Sequence, residues 1–525
     1  MIRLISITFL SILFSQFDSD PRMIGLSGAY TSVAKGYQSI GINPANLASN
    51  NALSMNLFSA NIFLFNDFMS FELYNDINGA NLEDPSSASY YPKEDILDQV
   101  NENQIIIEGG FVAPIPALNF AYKRFGISMV NRSYAKFDIP KDVLTMMFYG
   151  NTNDRLTFEF GGEGVSVNEL GVTYAHKFII DNQSIQLGAT FKYLQGLLYL
   201  KAEDVKDEGS YFQTDDDSFS GSGRYLVRQA FGGGGSAIDL GLLLPGFIEG
   251  WNVGLSLVNL GGSISWGADN LTRTFLSSYE DMLPLRQNEY YYFNYEIEPI
   301  NAMDMIDLDG GDIPFSSDSY TVGILTDAPT CDEANDENLI CLDDEEIVSN
   351  SSLFSTEEII DIGDDSYIIP SESLQPADLQ SQSSEDINLD YPSSLRIGIS
   401  KNIKNYGLLS IDTITGFDES FGNSNKFRLS IGTEIIAISN NFPIRFGLSV
   451  GGGKLSSYSL GFGFKAGPLA LDLGRKYYAG VIMNKAKGVE YAFNISLDFN
   501  EFSFKDIFKL NLPKIKLPKM PKLPD

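Results

Sequence analysis

The run Val489 to Phe499 alternates strictly: Val489, Tyr491, Phe493, Ile495, Leu497 and Phe499 interleave with Glu490, Ala492, Asn494, Ser496 and Asp498. A period of two means a strand whose faces meet different media, and about eleven residues is the span a tilted strand needs to cross a bilayer. The pattern recurs in Leu187-Ala189-Phe191-Tyr193 against Gly188-Thr190-Lys192. It returns in Phe427-Leu429-Ile431 against Arg428-Ser430-Gly432, and in Ile444-Phe446-Leu448-Val450 against Arg445-Gly447-Ser449. Apolar, aromatic-rich faces oppose faces of Gly, Ser and charge.

A soluble β-sandwich alternates too, with its apolar side turned to a core, so connection lengths must separate the two architectures. Strands are expected at 51–62, 104–122, 125–134, 164–180, 184–199, 225–244, 251–260, 393–401, 406–416, 426–437, 442–450, 457–465, 469–476 and 488–499. On one side the connections are tight: Lys123-Arg124, Asp181-Asn182-Gln183, Pro245 to Gly250, Asn402 to Asn405, Ile438 to Asn441 and Ala466-Gly467-Pro468. On the other they are mostly long: 63–103, 135–163, 200–224, 261–392 and 477–487. An even strand number with this asymmetry is the signature of a transmembrane antiparallel β-barrel, all-β, of about 14 strands, with both chain ends in the periplasm.

The ends and the largest connection have their own character. Arg3, the apolar run Leu4 to Phe14 and the polar Ser15 to Asp20 read as an export signal over 1–19, since so short a run cannot span a bilayer as a helix. Of the net charge of −32, the insert about 262–392 carries nearly all. No Lys or Arg lies between Arg286 and Arg396, against 27 acidic residues, so the acidity is local and external. That distribution excludes nucleic acid as a partner, which needs clustered basic residues. Cys331 and Cys341, the only cysteines, lie in this insert and favour a disulfide in an exported chain. Asp304, Asp307, Asp309 and Asp312 flank Gly310-Gly311 and offer hard oxygen ligands for calcium. Their spacing departs from the EF-hand loop, and a plain solvated acidic loop is the competing reading. The segment 500–525 is a basic tail with spaced prolines, such as Leu512-Pro513-Lys514, which cannot be another strand. It is expected to hang in the periplasm, as a solvated tail or as a docking strip for an anionic or protein partner.

Candidates for chemistry are few. His176, the only histidine, shares the apolar face of its strand with Leu170, Val172, Tyr174 and Phe178. It is therefore placed on the lipid side as an interfacial residue rather than in a Ser-His-acid site, and the chain is read as a non-enzyme. Gly232, Gly233, Gly234 and Gly235 lack the Lys-Ser/Thr of a phosphate loop and mark a kink in a long strand. That kink either opens the wall or makes room for a hatch inside the barrel.

Two stretches resemble the FadL-like superfamily of outer-membrane proteins. Ile24-Gly25-Leu26-Ser27-Gly28-Ala29-Tyr30 and Ile42-Asn43-Pro44-Ala45-Asn46-Leu47-Ala48 are similar to its Gly-rich and Asn-Pro-Ala opening. Ser236 to Gly241, Gly254 to Gly261 and Trp266 are similar to the central hairpin of PorV-like and uncharacterised relatives of the Bacteroidetes group. The resemblance implies that 20–50 folds inside a barrel spanning 51–499 as a hatch, with Gly25, Gly28, Asn43, Pro44 and Ala45 as its motif. It implies one of two roles: transport of hydrophobic or amphipathic small molecules, or a PorV-like barrel that binds secreted proteins in a type IX secretion-type role. A surface structural or adhesion role built on the acidic insert is the third reading, and the motifs do not choose among them. Beyond calcium no cofactor is expected.

Overall fold

A computed structural model describes residues 20–266 and 387–500, less 101–102, 151–154, 207–208, 215–217, 419–420, 437–439, 455 and 481–482. Between 267 and 386 it describes five strand segments and Thr272. The export signal, the calcium candidates Asp304, Asp307, Asp309 and Asp312, the Cys331–Cys341 pairing and the basic tail lie outside the described residues.

Fourteen strands form a closed antiparallel ring. They are β1 (Leu53–Asn66), β2 (Gln104–Pro114), β3 (Phe125–Pro140), β4 (Gly161–Ile180), β5 (Gln183–Asp204), β6 (Ser218–Ile248) and β7 (Trp251–Ser265). After the insert follow β8 (Ser394–Ile403), β9 (Gly407–Gly416), β10 (Arg428–Ile435), β11 (Ile444–Gly451), β12 (Ser456–Ala466), β13 (Leu469–Tyr478) and β14 (Gly488–Asp498). Each pairs with its chain neighbour, and the ring closes where β1 meets β14 over a ladder from Ser54–Asp498 to Phe65–Gly488. Closure removes both sheet edges, so the backbone groups of the wall are paired without water.

The alternation resolves as the sequence pattern requires. Along β14 the side chains of Glu490, Asn494 and Ser496 are buried inside, while Tyr491 points out. Exposed outward apolar residues recur around the ring: Phe58, Ile62, Phe125, Val172, Phe191, Leu240, Leu429, Leu448 and Leu473. An apolar outer band over a polar interior suits a barrel set in hydrocarbon. Among the described residues no helix is long and apolar enough to cross a membrane.

Three local differences from the expected strands have physical causes. The expected strand 104–122 is interrupted between Pro114 and Phe120, because Pro114 and Pro116 lack the N–H a ladder needs. Asn119 substitutes there, donating to the carbonyls of Ile115 and Met129 and accepting the Met129 N–H. At the long-loop end β3 to β6 run past their expected limits. Pairing continues there, although the apolar alternation stops where the wall would leave the bilayer. The β6–β7 connection, expected over Pro245 to Gly250, tightens to Glu249-Gly250, both with positive φ, the two-residue turn that matches strand twist. Asp181-Asn182 makes the same turn between β4 and β5.

Beyond the ring, the far half of β6 pairs with Glu289–Asn301, which pairs with Phe315–Gly323, so the sheet extends past the barrel at the long-loop end. There the short helices Phe71–Ile77 and Lys93–Leu97 close over a small core of Phe68, Leu73, Ile96, Val100 and Ile105.

Candidate functional site

The interior of the ring is occupied by the segment Asp20–Asn50. Asp20 caps its first helical turn, Pro21–Gly25, by accepting the N–H groups of Arg22 and Met23. Asn43 caps the turn Pro44–Ser49, with its Oδ1 on the Ala45 N–H at 3.1 Å and Pro44 at the first helical position. Met23, Leu26, Ala29, Tyr30, Val33, Ala34 and Ile42 form the segment's own apolar core, with Leu408 of the wall.

The wall makes room for this segment with glycine. Gly126, Gly188, Gly241, Gly254, Gly398, Gly432, Gly447, Gly461 and Gly474, one on each of nine strands, have atoms of residues 21–47 where a side chain would stand. At Gly188 a Cβ would lie 2.4 Å from the Pro44 carbonyl carbon, and at Gly447 it would lie 2.5 Å from Leu26. This belt escaped the sequence reading, although its signal was present: a glycine on the polar face of strand after strand. Of the motif residues, Gly25 meets Gly461, Gly28 takes a positive φ, Asn43 and Ala45 meet Gly241, and Pro44 meets Gly188.

Polar contacts complete the attachment. Arg22 donates twice to Glu434, at 2.8 and 2.9 Å, and Arg445 bridges Glu434 and Asp472 at 2.7 and 2.6 Å. The N–H groups of Tyr30 and Thr31 both donate to one Asp412 oxygen, at 3.0 and 2.7 Å. Asn43 Nδ2 donates to the Leu242 carbonyl, and Ser256 Oγ to the carbonyl of Ile42.

Above the segment, toward the long-loop end, ion pairs join Arg132, Glu169, Lys192 and Asp239 into one layer across four strands. The next inward positions on those strands are Tyr134, Val167, Leu194 and Ala237, all buried. The charged layer is mutually paired: Arg132 Nε to Glu169 at 2.9 Å, Lys192 Nζ to Asp239 at 3.0 Å and to Asn259 Oδ1 at 2.6 Å. Tyr391 Oη donates to Glu169 at 2.7 Å. Buried ions this well partnered offset their desolvation only through such a network.

The apolar layer centres on Trp266, fully buried beside Tyr199, Leu194 and Ile264. The space over Gly233 and Gly196 is filled by its indole, so at this point the glycines of 232–235 admit a tryptophan and not the N-terminal segment. Gly233, Gly234 and Gly235 stay paired with β5, and Gly232 alone takes a positive φ. The Trp266 Nε1 has no acceptor among the described residues. A cavity of about 70 Å³ is lined by Gly41 and Ile42 of the segment, by Arg132, Glu169, Lys192 and Arg396, and by Tyr391 and Phe421.

His176 stands on the outer face, with Arg124 Nη1 at 3.2 Å and Tyr174 Oη at 3.1 Å from its Nδ1. Its neighbours on that face are Tyr174 and Phe178.

With this geometry in hand, a family model described as DUF5723, a family of unknown function, matches residues 44–222. No curated protein matches. Solved structures to which the chain is similar include a Pseudomonas aeruginosa FadL homologue, at 10% identity and TM-score 0.41, covering 93% of this chain and 99% of that one. The P. putida toluene transporter TodX aligns at 9% identity and TM-score 0.42, covering 92% and 99%. The CymD monoaromatic hydrocarbon channel aligns at 10% identity and TM-score 0.40, covering 91% and 96%.

Proposed function

We propose that this chain is a bacterial outer-membrane barrel that takes up amphipathic or hydrophobic small molecules, with Asp20–Asn50 as its hatch and both termini in the periplasm. The observation that carries the reading is the layered interior: the apolar cluster around Trp266 includes Tyr391 and Phe421, and these two line one cavity with Arg132, Lys192 and Arg396. An apolar body with an anionic head matches that sequence of surfaces. The cavity of about 70 Å³ is small beside the roughly 300–1,000 Å³ of ordinary ligand pockets, so this is a closed state and a ligand must displace Tyr391 or Phe421 to enter.

The test uses Trp266 as reporter in a Trp251→Phe background, with a brominated long-chain carboxylate as probe. Saturable quenching at micromolar concentration, lost in Arg396→Ala, is the expected result. Quenching absent up to the solubility limit of the probe would sink the proposal.

A second reading, a barrel that binds secreted proteins, is favoured by one surface. Phe71 and Tyr74 on one loop helix and Met146, Met147 and Tyr149 on the helix Lys141–Tyr149 are exposed at the long-loop end. Exposed aromatic and methionine side chains are adaptable contact surface. A photo-crosslinker at Met147 should then give a discrete adduct with an exported protein in cells, and labelling of lipid alone would count against this reading.

A further inference from the structure

Three cavities follow one another through the barrel beside the N-terminal segment. The first, of about 70 Å³, is the one beneath Tyr391 and Phe421. The second, of about 50 Å³, lies nearer the short-turn end, among Asn56, Ser128 and Asn494. The third, of about 630 Å³, is the wide mouth at that end, reaching Asn402, Lys404 and Pro468.

Each adjoining pair shares a thin partition. Gly41, Arg132, Glu169 and Lys192 line both the first and the second. Tyr37 and Gln38 line both the second and the third. The upper partition is held by ion pairs, Arg132 to Glu169 and Lys192 to Asp239. The lower one is held by hydrogen bonds, Tyr37 Oη to Asn494 at 3.1 Å, Gln38 Nε2 to Asp20 at 2.6 Å and Tyr30 Oη to Gln38 Oε1 at 3.2 Å. Gly41 contributes backbone to the upper partition; the rest of both partitions is side chains, whose rearrangement can widen them with the segment's backbone in place.

We propose that these cavities form a gated conduit for water and small ions, running past the segment while it stays seated. A water needs about 10–15 Å³ of such space, so the first two cavities each have room for a few waters and none for larger solutes. Arg132, Glu169, Lys192, Asn56 and Asn494 in their lining supply the hydrogen bonds such waters need. Rearrangement of Arg132 and Lys192 among their carboxylate partners opens the upper partition, and rotation of Tyr37 opens the lower. The conduit serves a different cargo from the amphipathic ligand proposed above and does not depend on it, because it neither unseats the segment nor uses Trp266.

The experiment is single-channel recording in planar bilayers in potassium chloride, with Arg132→Ala, Tyr37→Ala, the double variant, and the double variant carrying Ser128→Leu to fill the second cavity. Heat-shifted gel mobility reports the folded barrel, and hydrogen exchange over residues 20–50 reports whether the segment is seated. Either single variant is informative if the double variant does not fold. The expected result is a conductance at least tenfold above the parent protein in the double variant, a smaller rise in each single, and a return to the parent level with Ser128→Leu, exchange unchanged throughout. Parent-level conductance in the folded variants, a raised conductance that Ser128→Leu leaves intact, or loss of protection over 20–50 would each overturn the proposal.

Discussion

Arg22, at the start of the interior segment, grips Glu434 of strand β10 with two parallel hydrogen bonds across a sequence separation of 412 residues. Both side chains are mostly buried, at 15% and 13% exposure, and Arg445 shares the same carboxylate. Removing the two partners is therefore not equivalent. Glu434→Ala strands Arg22 and should destabilise the folded barrel by about 3 kcal/mol, the lower range for breaking a buried pair. Arg22→Ala leaves Glu434 with Arg445 and should cost about 1–2 kcal/mol. Urea titration in lipid vesicles measures the difference, and equal losses would contradict this ordering.

Asp412 accepts two adjacent backbone N–H groups, from Tyr30 and Thr31, at one oxygen. Asp412→Asn can keep an oxygen in that place and should change little. Asp412→Leu leaves both donors buried and unpaired, at roughly 1–3 kcal/mol each. Hydrogen exchange over 28–34 should accelerate in the leucine variant and stay near the parent rate in the asparagine one.

The glycine belt predicts a steric response. A side chain at Gly188 or Gly241 must enter space held by Pro44, Asn43 and Ala45, and at Gly188 the nearest clashes are all with backbone that cannot rotate away. Gly188→Val should unseat the turn Pro44–Ser49 while the ladder between β5 and β6 persists. Limited proteolysis cutting within 40–50 in the variant but not the parent is the expected outcome.

Gly233 lies against the indole of Trp266, with a Cβ there only 2.7 Å from the ring. Gly233→Val should expel Trp266 from its buried site, red-shifting its emission in a Trp251→Phe background. Unchanged emission would mean the ring has another place to pack. Core overpacking of this kind typically costs about 1–3 kcal/mol, so the barrel itself should survive.

Much of the architecture was readable in the chain because its causes are local. Val489 to Phe499 alternates because each residue of β14 faces lipid or lumen in turn, and Asp181-Asn182 turns because two short polar residues tolerate positive φ. The break at Pro114 to Phe120 was legible in principle, since two prolines announce missing donors, but the flanking apolar residues masked it. The interior charged layer was harder. Arg132, Glu169, Lys192 and Asp239 each read as one polar residue on a polar face, and nothing within any single strand says that four of them meet.

By itself, then, the sequence determined the strands, their facing and the short-turn, long-loop asymmetry, because period and turn chemistry act over a few residues. Only the tertiary structure decided what the inward faces do together. Ring closure and register bring Gly188 under Pro44, Glu434 to Arg22, and Lys192 to Asp239. Steric fit and ion pairing depend on distances between strands, and no pattern along one strand encodes those distances.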